Sequence, residues 1–511
     1  MPPYLPKGLD EFVDLVIPVS LIGMEMNIIQ GLATNYKKHS YIITALVIGS
    51  FISIYQTVSL NVALPGFMDI FVTDLSTVQW LMTGFTLATG IIAPLSSYLG
   101  NRFGTRELFL FSIGGLMITS LLCAFAWNIE SLIVFRILQG AFCGIIQPVT
   151  LTIIYQMLPV QKQTFALGMW SASSVLGPAL APTISGWLQS WNWPLIFLMM
   201  LPLGIVAWIF GWMSLEKNSE ALDKPVFNGI GMFGVVFGSL SLLIVFSNLH
   251  QWGMLSIKTV IILLIGIGLL VHFCWRELRI KASLLDLRLL KNKDFALSLS
   301  ASAILTSSLY TGIYFIPLYL LEIYRMTAIE VGLLLCLPAL SMTAATTIST
   351  KYYGRVGAKT LILIGIFFLI LATWAFSGLR VDSTKGFIML WMTFRYIGLG
   401  LSTTPIINVG MSSVPPHLSG DASALMNWIK QVAGAVSIGL FTSFFYTRMD
   451  LYGKTSSNLQ EVYVRGLDDV FILATVLTCL SIPLTLLLNR KKVKKKEKII
   501  CEEVSKHTLI K

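Results

Sequence analysis

Charge is what this sequence has least of. Asp, Glu, Lys and Arg make up only 12% of its 511 residues, about half the share in a soluble domain. Hydrophobic residues make up 55%, and mean hydropathy is +0.77. No water-soluble fold could hide that much apolar surface, so the chain reads as an all-α polytopic membrane protein. Cysteine is sparse too. Cys123, Cys143, Cys274, Cys336 and Cys479 lie in apolar segments and Cys501 in a basic tail, with no CxxC and no Cys/His cluster. Neither a disulfide framework nor a metal site is expected. The five histidines (His39, His250, His272, His417 and His507) are scattered near span ends and tails, which argues against a membrane enzyme. The sequence has no G-x-x-x-x-G-K-[ST] stretch and no filter-like loop, which disfavours an ATP-driven pump or a channel. Residues 1–40 have no basic start and no clear cleavage site and read as a cytoplasmic or interfacial leader rather than a signal peptide, with a partly inserted extra helix as the alternative.

The apolar runs themselves predict the architecture. Windows long enough to cross about 30 Å of hydrocarbon fall near 41–65, 78–99, 107–127, 131–155, 165–189 and 194–215. A pair follows near 227–247 and 257–276. Six more lie near 296–321, 329–350, 360–379, 386–410, 420–446 and 469–489. The net charge of +11 sits in alternate short loops and in the tail RKKVKKKEK, with a longer loop over 447–468 on the other side. By the positive-inside rule both termini are cytoplasmic, so the number of spans is even. Fourteen is the reading, because leaving the 227–276 pair uninserted would put two very apolar windows in water. The expected divisions are a leader (1–40), a six-helix bundle (41–215), an inserted pair with linker (216–294), a second six-helix bundle (295–489) and a basic tail (490–511). The tail reads as a stop-transfer anchor beside anionic lipid. Basic residues placed this way set topology, and no nucleic-acid partner is expected.

The chain is organised around Leu132–Pro148. At helical spacing, Arg136, Gln139/Gly140, Cys143/Gly144 and Gln147/Pro148 form one stripe of polar or small residues on an otherwise greasy helix. An ionised side chain at bilayer depth costs roughly 2.5–3.5 kcal/mol on insertion scales, so it should face a protein interior or a wet cavity. The stripe recurs around Phe394-Arg395, with Gly398 and Gly400 echoing Gly140. A second repeat pairs Arg102-Phe-Gly-Thr-Arg106 with Arg355-Val-Gly-Ala-Lys359. Two related halves, each with a buried arginine, point to a transporter.

Two further stretches carry chemistry. In the fifth span, Ser173, Gly177, Ala181 and Ser185 form one ridge and Ser174, Pro178, Pro182 and Gly186 the next, which permits close helix approach. In the thirteenth, Asn427, Lys430/Gln431, Gly434 and Ser437 form a polar stripe. Gln56, Thr57 and Asn61 supply polar groups from the first span, and Trp170 and Trp428 could stack on flat ligands.

These motifs resemble the major facilitator superfamily, specifically its fourteen-span drug:proton antiporters of the EmrB/QacA type, over roughly residues 41–490. SYLGNRFGTR (97–106) is similar to the superfamily's gating loop at Leu99, Arg102, Gly104 and Arg106, with Ser97, Asn101 and Thr105 as departures. Arg136, Gln139, Gly140 and Gly144 match the fourth-span motif, whose arginine the family associates with proton transfer. Gly177, Pro178, Pro182 and Gly186 match the antiporter signature, and Asn61-Val-Ala-Leu-Pro65 the end of the first span. The resemblance implies two six-helix bundles rocking about a cavity formed by Arg136, Gln139, Gln56, Asn61, Arg395, Asn427, Lys430 and Gln431. It implies export of amphipathic small molecules or drugs, with a proton gradient as energy source and no cofactor. Gln56 stands where the family has a first-span acid, which leaves Glu322 as the proton-coupling candidate. Three cations would make the cavity suit anionic or neutral cargo. The alternatives are export of one endogenous metabolite, such as a siderophore or fatty acid, and a facilitator uncoupled from protons. An inner (plasma) membrane location is implied. In a host with two membranes, a periplasmic adaptor and outer-membrane channel are implied as partners.

Overall fold

The computed structural model describes residues 19–60, 63–216, 228–280, 284–454 and 458–488. Among these, regular structure is helical throughout. Lipid offers the backbone no hydrogen bonds, and a helix satisfies its own. The long helices are α1 (Val19–Val58), α2 (Leu75–Ile92), α3 (Thr105–Ala124), α4 (Ile129–Met157), α5 (Val160–Trp191), α6 (Met200–Ser214) and α7 (Gly229–Trp252). They continue with α8 (Ile257–Arg279), α9 (Lys293–Glu322), α10 (Ala328–Val356), α11 (Ala358–Ala375), α12 (Lys385–Ser412), α13 (Ser419–Gly453) and α14 (Leu459–Cys479). Twelve helices among the described residues are long and apolar enough to cross a membrane. The two long helices outside that set, α5 and α12, have 32 and 28 residues. At 40 residues, α1 is about 60 Å long, twice the hydrocarbon thickness, and takes in part of the stretch expected as a leader.

Polar caps stop the helices where the chain must turn. Asn128 and Ser131 form a capping box at α4, and Thr327 and Glu330 one at α10. The expected loop over 447–468 is shorter than the sequence suggested. Helix α13 continues to Gly453 and α14 starts at Leu459, capped by Asn458, whose side chain accepts from the Gln460 and Glu461 amides. Hydropathy missed these turns because they are polar, held by Arg465–Glu461 at 2.6 Å and Arg448–Asp469 at 2.8 Å.

The two halves pack alike. In the first, α4 lies against α2 and α3 while α1 lies against α5; in the second, α12 lies against α10 and α11 while α9 lies against α13. Glycines set those contacts. A Cβ on Gly144 would sit 2.6 Å from the Thr89 carbonyl oxygen, and one on Gly400 2.6 Å from that of Met342. The loop repeat also folds the same way twice. Gly104 and Gly357 have φ +96° and +85°, where a side chain is strained. Arg106 donates to the Trp212 carbonyl, and Lys359 to that of Leu486. In each half, the second cation of the loop thus anchors the end of the bundle: α6 in the first, and in the second the short helix Ser481–Leu486 that follows α14.

The inserted pair is asymmetric. Helix α7 packs on α8, on α13 and on α2, so it lies across the seam between the halves. Helix α8 turns Ile261, Leu264, Ile265 and Val271 outward, a face suited to lipid. At its end the buried Glu277 accepts from Asn228 Nδ2 at 2.7 Å and from the Leu284 amide at 2.6 Å. This carboxylate pins the linker to the inserted pair.

Because Gly144 and Gly400 meet backbone rather than flexible side chains, Gly144→Val and Gly400→Val should each cost about 1–3 kcal/mol through overpacking. Thermal unfolding in detergent should drop by several degrees for both. Gly268→Ala, where a Cβ would meet nothing within 4 Å, should leave it unchanged.

Candidate functional site

Each half encloses its own arginine. Arg136 is fully buried. Its Nη2 donates to the Gln56 carbonyl at 3.0 Å, its Nε to the Leu81 carbonyl at 3.2 Å and its Nη1 to Gln139 Oε1 at 2.5 Å. The guanidinium also lies 4.1 Å from the centroid of the Phe85 ring. Gln139 in turn donates to Ser120 at 2.8 Å. Arg395, 1% exposed, donates to Thr373 Oγ1 at 2.6 Å and to the Ser308 carbonyl. Gly312 leaves room for it, since a Cβ there would lie 3.0 Å from its Cζ. Among the described residues, neither arginine has a carboxylate within ion-pair distance. Charge-assisted bonds of about 1.5–3 kcal/mol each are comparable in size to the desolvation cost, and they hold both charges inside.

The expectation of one cavity lined by three cations therefore needs correction. Arg136 is locked inside the first bundle and Arg395 inside the second, because carbonyls of their own bundle capture both guanidinium groups. Only Lys430 reaches across the seam. It extends from α13 toward α5, with Nζ 5.3 Å from the Trp170 ring centroid, and has no hydrogen-bond or ion-pair partner among the described residues. The buried Trp170 Nε1 likewise has no partner there. Asn427 turns back to the Ser423 carbonyl at 2.9 Å, and Gln431 lines a cavity beside α7. Gln56 is fully buried; its amide donates weakly to Ser120 at 3.4 Å, and its Oε1 has no partner among the described residues. Asn61 lies outside the described residues.

Close to the end that carries Arg102 and Arg106, polar pairs stitch the halves together. Ser97 donates to Asp421, Thr152 and Ser423 hydroxyls meet at 2.5 Å, and Tyr155 donates to Asn408 at 2.8 Å. Asn408 donates to Thr164 at 3.3 Å and Thr404 to Ser171 at 2.9 Å. Asn101 sits beside the start of α13, its amide oxygen 3.9 Å from where a Cβ on Gly420 would lie. Arg102 donates to Tyr98 at 2.8 Å. The sequence reading passed over Asp421, because a carboxylate at the edge of an apolar window looks like a solvated helix end. Only the pairing with Ser97, 324 positions away, shows it inside the seam.

The remaining candidates have local roles. A Cβ on Gly177 would lie 2.9 Å from Ile54 Cγ2, and Ser185 meets the Tyr55 hydroxyl at 3.0 Å, so this ridge of α5 packs on α1 of its own bundle. Pro178, Pro182 and Gly186 lie within α5 without interrupting it. Trp428 donates to Ser239 at 2.8 Å, which ties α13 to α7. Glu322 is exposed at the end of α9, 3.8 Å from Arg325.

The seam can be checked by cross-linking. Thr152→Cys with Ser423→Cys replaces two touching hydroxyls by thiols, so mild oxidation should join the halves. Proteolysis between them, read on a gel, should then yield one band until a reductant is added. Two bands without reductant would place the halves apart.

The chain is similar to known proteins in sequence and fold. The family model described as Major Facilitator Superfamily matches residues 46–438. An uncharacterized MFS-type transporter, YhcA of Bacillus subtilis (strain 168), is 30% identical over 419 residues, covering 82% of this chain and 79% of that protein. The lincomycin resistance protein LmrB of the same organism is 28% identical over 481 residues, covering 90% and 98%. The multidrug export protein EmrB of Haemophilus influenzae is 27% identical over 416 residues, covering 79% and 80%. The solved structure of the human organic anion transporter MFSD10 (TETRAN) superposes with a TM-score of 0.60 at 11% identity, covering 86% of this chain and 99% of that one. That of the proton:xylose symporter XylE gives 0.58 at 15% identity, covering 87% and 97%. At such identities the structures speak for the fold alone.

Proposed function

The chain belongs to the major facilitator superfamily, among its EmrB/QacA-type transporters, and we propose from that premise that it exports amphipathic small molecules by alternating access. The observation that carries the reading is Lys430, a cation with no partner among the described residues, extended across the seam onto Trp170. The polar stitches near the Arg102 end would hold that side shut while cargo leaves from the other. Apart from the Ser97–Asp421 pair, these bonds join uncharged groups and are worth about 0.5–1.5 kcal/mol each, weak enough to exchange during a cycle. The names of LmrB and EmrB, a resistance protein and an export protein, support drugs or drug-like compounds as cargo. An ammonium beside an indole favours anionic or neutral lipophiles, since a cationic dye would meet repulsion there.

Proton-driven antiport is part of the proposal, with the plasma membrane as its site and both termini in the cytoplasm. Lysine is the better candidate to exchange a proton in the seam, because arginine holds its charge in proteins. Glu322, exposed and beside Arg325, would be the alternative carrier. The second reading, an uncoupled facilitator or an exporter of one metabolite such as a siderophore or fatty acid, draws on Gln56. This amide stands next to Arg136 where the family has an acid, and it cannot titrate. A periplasmic adaptor and outer-membrane channel would be partners only in a host with two membranes.

Reconstitution into liposomes with an imposed pH gradient tests the reading. Native protein should move an anionic lipophile against its gradient and collapse the pH difference in parallel. Lys430→Ala should abolish the proton-linked component while unfolding at the native temperature. Arg136→Ala should lower stability as well as flux. Robust transport of quaternary cations with none of anions would reject the cargo class, and flux indifferent to the pH gradient would favour the facilitator.

A further inference from the structure

One lined cavity includes none of the paired residues of the seam and neither arginine. It has a volume of roughly 190 Å³ and lies where α2, α7, α9 and α13 meet, so both halves and the inserted pair contribute to it. Thr86 and Gly90 come from α2, Ser247 from α7, Tyr310 and Tyr314 from α9, and Gln431 from α13. Thr86, Ser247 and Tyr314 are exposed and mark its mouth. Phe246, Leu243 and Ile438 make up the apolar wall.

The lining has a clear chemical character. Among the described residues it carries hydroxyls, one amide and aromatic rings, with no charged side chain. Thr86, Ser247, Tyr310 and Gln431 have no hydrogen-bond partner among the described residues. A charge placed here would lose its hydration without gaining a counter-ion. An uncharged ring carrying a hydroxyl would stack on Tyr310 or Tyr314 and meet the free amide and hydroxyls. The neighbouring residue on α13, Lys430, lies over Trp170 of α5. Consecutive positions on this helix therefore face two environments, one cationic and one neutral.

The walls are set by close contacts. A Cβ on Gly434 would lie 2.6 Å from Tyr310 Cε2, and one on Gly90 2.8 Å from Leu243 Cδ1. Glycine at 434 thus leaves the Tyr310 ring where it borders the cavity, and glycine at 90 lets α7 close the wall.

We infer that this chamber, walled on one side by the inserted helix α7, is a binding site for uncharged hydroxylated aromatic molecules. This deepens the export reading by naming a cargo class and giving the inserted pair a part in selecting it. The chamber needs no gradient to bind, so it can be tested apart from transport.

The probe is 2-naphthol, titrated into protein-loaded nanodiscs with empty nanodiscs as the partition blank, and 2-naphthalenesulfonate serves as the charged counterpart. Native protein should bind 2-naphthol saturably. Ser247→Trp, which fills the chamber from α7, should weaken binding about tenfold or more. Tyr310→Phe and Gln431→Met keep the volume and remove hydrogen-bonding groups, so each should weaken it about threefold to tenfold. Gly268→Ala, on the exposed face of α8 away from the chamber, should leave 2-naphthol binding unaffected, and the sulfonate should not compete for it. If Ser247→Trp does not fold, judged by thermal unfolding, the two volume-keeping variants decide. Affinity unchanged in those variants, no saturable binding beyond the empty discs, or full competition by the sulfonate would each overturn the assignment. Binding with these variant effects but without flux in liposomes would leave the chamber standing and remove the export reading.

Discussion

Everything in this molecule follows from the cost of placing a cation where lipid would otherwise be. Arg136 and Arg395 cannot face hydrocarbon, and among the described residues no carboxylate neutralises either one. Both are held by neutral acceptors: carbonyls at Gln56 and Leu81 and the Gln139 amide for one, the Ser308 carbonyl and the Thr373 hydroxyl for the other. To deliver these acceptors, the first helix of each half must pass close to the fourth. Glycines at 144 and 400 allow comparable closeness between the second and fourth helices. The bundle geometry and the burial of charge are thus one problem solved twice, once per half.

That solution leaves the space between the halves free for a different chemistry. With both arginines satisfied internally, the seam holds Lys430, Trp170, the Ser97–Asp421 pair and a series of hydroxyl and amide pairs. Such pairs can be remade with other partners or with water at little net change, whereas a guanidinium withdrawn from its carbonyls would be stranded in a medium that cannot solvate it. Rigid bundles beside an exchangeable seam are what alternating access requires. Helix α7 adds a third surface. By packing on α2 and α13 it spans both halves, so rocking of one against the other would change the shape of the chamber it borders.

Much of this was legible from residue order. The apolar windows located the helices because hydrocarbon thickness dictates their length. The R-x-G-x-[R/K] loops and the Phe-Arg pairs exposed the two-fold plan, and their backbones repeat as closely as their letters do. Where the reading fell short, the reason is physical. Helix α14 begins ten residues before its apolar window because its first turns are polar and held by ion pairs, which hydropathy does not register. Asp421 and Glu277 were not singled out from the sequence, because their partners, Ser97 and the linker amides, are brought to them only by folding.

Composition and periodicity determined by themselves that this is a helical membrane protein, because lipid leaves a chain so few options. They also singled out Arg136, Arg395 and Lys430 as cations requiring shelter. Which shelter each one takes was decided by the tertiary structure alone. Three cations within apolar helices read alike along the chain, but two are closed in by carbonyls of their own bundle while the third crosses to the other. That distinction depends on which helices become neighbours, and no local pattern encodes it.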